Sequence, residues 1–185
     1  MGYNEEWKAA VERSERYGLA VPMQADVTQQ RYLTKEVYDR FPYVVSDAFG
    51  DLGYEDVVAQ CMSIHYRLLP VIEDLLECPV FFTIGWVDDG SEKGMFRFDE
   101  DFIQDRLQKP SVALGGETNL HAWLTLPSME VIDVSLVTTI AVVQKLEKGH
   151  GGVLAGPADD FKGFAYKPML VGIDFLKRAG MLFEL

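Results

Sequence analysis

The stretch Asn119-Leu-His-Ala-Trp-Leu-Thr-Leu-Pro-Ser-Met-Glu-Val-Ile-Asp-Val-Ser135 decides the fold. Apolar and other residues alternate strictly from Leu120 to Leu126, so Leu120, Ala122, Leu124 and Leu126 face one way and His121, Trp123 and Thr125 the other. Pro127-Ser128 marks a turn, and Val131 to Ser135 alternates again. A three-residue connection, Pro127 to Met129, predicts a β-hairpin pairing Leu126 with Glu130, Trp123 with Asp133 and His121 with Ser135. Asp133 then lies diagonal to His121, at about 7 Å between backbones and within side-chain reach. A carboxylate there fixes the imidazole tautomer and favours the imidazolium. Such a pair needs a nucleophile.

The chain offers two cysteines. Cys61 lies in the amphipathic run Ala59 to Glu77. Cys78-Pro-Val-Phe-Phe-Thr-Ile-Gly-Trp-Val87 follows it as a strand, apolar on both faces and so expected at the centre of a sheet. The order is thus helix, strand, then a hairpin bearing His121 and Asp133.

In that order the chain resembles the transglutaminase-like branch of the papain-fold cysteine enzymes. The residues carrying the resemblance are Cys61, the Glu77-Cys78-Pro79 turn, Gly85-Trp86, His121-Ala122-Trp123 and Asp133, and it spans Cys61 to Ser135. Two features depart from the pattern: residue 59 is alanine where relatives often have glycine, and Pro70 interrupts the cysteine helix. The resemblance implies an α+β, papain-like (transglutaminase-like) fold with N-terminal helices packed on an antiparallel sheet. It also implies a Cys61–His121–Asp133 triad. The expected organisation is one domain over residues 1–185, with the cysteine-enzyme core at 54–143.

The bulk properties narrow the function. A chain of 185 residues can bury a full core, and 48% hydrophobic with 12% aromatic residues describes a globular rather than a disordered protein. A net charge of −12 without a basic cluster argues against nucleic acid and anionic membranes as partners. No apolar run reaches the roughly 18 residues of a membrane span, and the first residues lack the features of a signal peptide. Two cysteines make no disulfide framework. The expectation is a cytoplasmic protein, or one exported without a cleaved signal, acting on a protein or peptide-like substrate. Its oligomeric state is not written in the sequence.

Elsewhere, Asn4 to Tyr17 reads as a helix closed by Gly18, and Thr34 as the cap of a short helix Lys35 to Arg40 that ends before Phe41-Pro42. Tyr43-Val44-Val45 reads as a short strand, and Ser46 to Gly53 as a turn-rich lead-in. The Gly53-Tyr-Glu-Asp-Val segment should open the cysteine helix, with a kink at Pro70. Asp99 should cap a helix stopping before Pro110, and Gly115-Gly116 gives a flexible approach to the histidine strand. The apolar run continues from Leu136 to Val143. Gly149 to Pro157 reads as the most flexible stretch, Phe164 to Val171 as a last strand, and Asp174 to Ala179 as a terminal helix.

A helical cysteine standing alone is a small hydrophobe; a histidine and an aspartate following in family order make Cys61 a nucleophile. Cys78, before a proline at the head of an apolar strand, reads as packing. Cys61, His65, His121 and Asp133 mix hard and soft ligands without finger spacing, so no metal is expected, and nothing implies a cofactor. His150 reads as a loop residue. The backbone amide of Cys61 is the expected oxyanion donor, with Gln60 and Trp123 as further candidates for the oxyanion or substrate contacts. The function expected is a cysteine hydrolase of amide bonds. Transfer to an amine, as in transglutaminases, shares its first half-reaction; a third possibility is a silent fold member that binds a protein.

Overall fold

The computed structural model describes residues 2–22, 27–50, 53–110 and 119–181. Helices α1 (Tyr3–Arg16), α2 (Lys35–Phe49), α3 (Tyr54–Val57) and α4 (Cys61–Leu76) come first. They are followed by β1 (Phe81–Asp88), α5 (Glu100–Gln108), β2 (His121–Thr125), β3 (Glu130–Asp133), α6 (Leu136–Val143), β4 (Leu154–Pro157), β5 (Ala165–Val171) and α7 (Asp174–Arg178). The fold is α+β, with strand order β4-β3-β2-β1-β5 and antiparallel pairing of β1 with β5, β2 with β3, and β3 with β4. Backbone contacts divide the chain into two compact units, one of residues 1–24, 83–122 and 161–185, the other of residues 25–82 and 123–160.

In the first unit, α1 buries Tyr3, Trp7, Ala10, Val11 and Ser14, a helical stripe laid on β5. Polar bonds fix its register: Ser14 Oγ accepts from the Val171 amide at 2.9 Å and Arg13 donates to the Met169 carbonyl at 3.0 Å. Trp7 Nε1 donates to Thr83 Oγ1 on β1. Asp99 caps α5 as expected, its carboxylate accepting from the Phe102 amide at 2.9 Å.

In the second unit the hairpin takes the expected register, Leu124 opposite Ile132 and Thr125 opposite Val131. The Leu126 amide bonds to the Glu130 carbonyl and the Met129 amide to the Leu126 carbonyl, both at 2.9 Å. Met129 sits at φ 59°, the left-handed residue that closes a three-residue loop. Behind the turn, Glu130 is buried and accepts from the Tyr32 amide and the Ser128 hydroxyl.

Three local expectations are corrected, and the apolar run after Asp133 receives its assignment. Helix α2 runs through Pro42 to Phe49, so Tyr43–Val45 is helical and Ser46 to Phe49 is no lead-in; proline removes one backbone donor, and the helix holds through Phe41, buried one residue earlier. The Tyr54–Val57 turn is a separate helix, because the chain leaves helical geometry at Val58 and Ala59 before α4 begins. The run after Asp133 is helix α6, started by a cap that the β-branched sequence does not advertise. Leu154–Pro157, within the stretch expected to be loose, is strand β4, paired with β3 at the sheet edge, where a proline costs no ladder bond. The Gly115-Gly116 approach lies outside the described residues.

Candidate active site

Helix α4 starts at Cys61, with Gln60 as its N-cap. The cysteine therefore occupies the first helical position, where backbone amides point out of the helix end and the dipole is strongest. The residue that turns the chain into this start is Ala59, at φ 59°. Left-handed geometry costs a non-glycine residue about 1–2 kcal/mol, so Ala59 occupies a conformation that glycine would adopt without cost. Gln60 is exposed, and its Oε1 accepts from Ser63 Oγ at 2.9 Å, leaving its amide nitrogen as a donor beside the helix start.

One turn further on, His65 is fully buried. Its Nδ1 lies 2.7 Å from the Cys61 carbonyl oxygen and its Nε2 lies 3.2 Å from the Val134 amide nitrogen. An amide can only donate, so Nε2 accepts, Nδ1 carries the proton, and the ring is neutral. The 3.6 Å approach of Nε2 to Asp133 Oδ1 is then a contact between two acceptors rather than an ion pair. With both nitrogens held by backbone, His65 is a clasp between the start of α4 and the end of β3. The sequence signal was the four-residue spacing from Cys61, which invited a metal reading instead. Among the described residues, no group of three or more His, Cys, Asp or Glu side chains could hold a metal ion.

Asp133 ends β3 and is fully buried. Its Oδ1 accepts from the Ser135 amide at 2.9 Å, the Ser135 hydroxyl at 3.1 Å and the Leu136 amide at 3.0 Å. This carboxylate is what starts α6. Trp123, next to Leu124 in the hairpin register, is fully buried too, so its indole offers no exposed docking surface.

His121 opens β2 and is 2% exposed. In its own unit its ring stacks on Phe96, with centroids 5.1 Å apart and planes 21° from parallel. Nothing in the sequence pattern singled out Phe96.

Beside the start of α4 and the end of β3 lies a cleft of about 630 Å³, lined by Tyr38, Phe41, Phe49, Tyr54, Ile64 and Val134 among others, none of them charged. Ile64 follows Cys61 by three residues and Val134 follows Asp133 directly. The His150 ring packs against Tyr54 at this rim, centroids 5.3 Å apart. Cys78 differs from Cys61: burial pushes its thiol up to about 11, with the Glu73 and Glu130 carboxylates adding to the effect. Neither cysteine forms a disulfide.

No family model, curated protein or solved structure matches this chain.

Proposed function

We propose that the chain is a cysteine-dependent hydrolase of amide bonds with a papain-like, transglutaminase-like fold, in which Cys61 is the nucleophile, His121 the base and Asp133 the orienting carboxylate. The observation that carries this reading is the start of α4 at Cys61, which puts a thiol at a helix N-terminus among outward-pointing backbone amides. Two features support it. The β2/β3 pairing, Leu124 with Ile132 and Thr125 with Val131, is the register that the hairpin reading of the triad requires. The His65 clasp ties the nucleophile's own carbonyl to the strand end that bears Asp133.

The chemistry follows from these roles. His121 takes the Cys61 proton, and the thiolate sulfur forms a bond to the amide carbonyl carbon. Outward-pointing amides of the first turn, with the Gln60 side-chain nitrogen, receive the oxyanion. His121 then returns the proton to the departing amine as the carbon–nitrogen bond breaks, and water, deprotonated by the same ring, hydrolyses the thioester. The uncharged cleft takes an apolar group on the acyl side. An amine in place of water gives transfer instead.

Acyl-enzyme trapping tests the proposal: incubation with p-nitrophenyl acetate should leave an acetyl group on Cys61, found by mass spectrometry, and none in Cys61→Ala or His121→Ala. Acetylation of Cys78 alone, or none at all, refutes it. Adding an alkylamine distinguishes water from amine as the second substrate.

A further inference from the structure

The segment on either side of Phe96 is fastened to its surroundings. Met95 exchanges two backbone hydrogen bonds with Val87 on β1, at 2.7 and 3.0 Å. The Arg97 carbonyl accepts from Asn119 Nδ2 at 2.8 Å, and the Arg97 guanidinium lies over the Trp86 ring at 4.8 Å. Just before it, Gly94 stands at φ 63° with the Trp86 ring where a side chain would begin, 2.8 Å from an added Cβ. Between these anchors Phe96 is held at φ 60°. A bulky side chain in that region is a strained outlier, and one held by anchors on both sides points to a functional constraint. Glycine would fit the backbone without strain. The ring must therefore be what the position is for, and the ring lies on His121.

We propose that Phe96 is a positioning residue for His121. The proposal rests on the catalytic reading of His121 given above. A near-parallel stack covers one face of the imidazole and leaves both nitrogens in the ring plane for hydrogen bonds. It restricts rotation of the ring about its bond to Cβ, which a partner bonded to one edge would do only by occupying a nitrogen. It also contributes to burying the ring, so that the plane is set before substrate arrives.

The test is the pH profile of Cys61 alkylation by iodoacetamide, followed by mass spectrometry, in the full chain and in Phe96→Gly, Phe96→Tyr and His121→Ala. Phe96→Gly keeps the loop's backbone path and removes only the ring, and circular dichroism checks that it is folded. The expected result is that the full chain and Phe96→Tyr label rapidly and evenly between pH 6 and 8. Phe96→Gly should fall about tenfold at pH 6.5, its rate climbing with pH as an isolated thiol's does. The proposal is overturned if Phe96→Gly follows the unsubstituted profile while His121→Ala slows labelling. If His121→Ala changes nothing, the catalytic reading itself has failed, and the proposal with it.

Discussion

His65 Nδ1 donates to the carbonyl oxygen of Cys61 at 2.7 Å while its Nε2 accepts from the Val134 amide at 3.2 Å. One neutral ring thereby joins the residue that begins α4 to the residue that follows Asp133. A helix start is the part of a helix with fewest internal bonds, so this clasp restrains the thiol's backbone where it is otherwise loosest.

Replacing His65 by alanine should leave the buried Val134 amide without its acceptor, a loss of about 1–3 kcal/mol. In a chain of this size that lowers the melting temperature by roughly 2–12 °C. Cys61 labelling should also slow, because the helix start is no longer held. A melting temperature unchanged within a degree would mean that the clasp contributes nothing.

Ala59→Gly should stabilise the protein. Relief of left-handed strain at φ 59° outweighs the extra chain entropy of glycine by about 0.5–1 kcal/mol, a rise of roughly 2–4 °C. Calorimetry decides the sign, and a fall in melting temperature would contradict the geometry assigned to this turn.

Asp133 starts α6, and the proposed mechanism gives it a second duty that substitution can separate from the first. Asparagine keeps a carbonyl oxygen to accept from the Ser135 and Leu136 amides, so Asp133→Asn should fold while losing about 10²- to 10⁴-fold in acylation rate. Asp133→Ala removes the cap as well and should cost about 1–2 kcal/mol more in denaturant unfolding. Equal acylation by Asp133→Asn and the unsubstituted chain would reduce Asp133 to a helix cap.

Cys78 supplies a pH dependence. Its thiol is raised in the folded state to about 11, so folding favours the protonated form. That contribution is complete below the unfolded thiol value, about 8.5, and is lost as pH rises toward 11. Unfolding free energy should thus fall less steeply from pH 8.5 to 10.5 in Cys78→Ala than in the unsubstituted chain. Identical slopes would contradict the raised value.

The hairpin register was legible because alternation and loop length both act over neighbouring residues. Leu120 to Leu126 set the faces, and Pro127 to Met129 set the pairing. What the sequence hid was non-local. Pro42 reads locally as a stop, yet α2 runs through it. Leu136 to Val143, rich in β-branched residues, carries no helix signal of its own; Asp133 and its three hydrogen bonds start a helix there. His65 has no marker beyond its spacing, since its partner Val134 is 69 residues away. Phe96 has none at all, because only the anchored loop brings its ring to His121.

The most direct test of the central claim compares the two cysteines in one molecule. Both are 8% exposed, so Cys78 serves as the internal control for Cys61. With limiting iodoacetamide at pH 6.5, Cys61 should alkylate at least tenfold faster than Cys78, and His121→Ala should abolish that advantage, as the proposed pairing of base and nucleophile requires. Equal labelling of the two cysteines, unchanged in His121→Ala, would contradict a catalytic Cys61 and leave the chain as a binding protein.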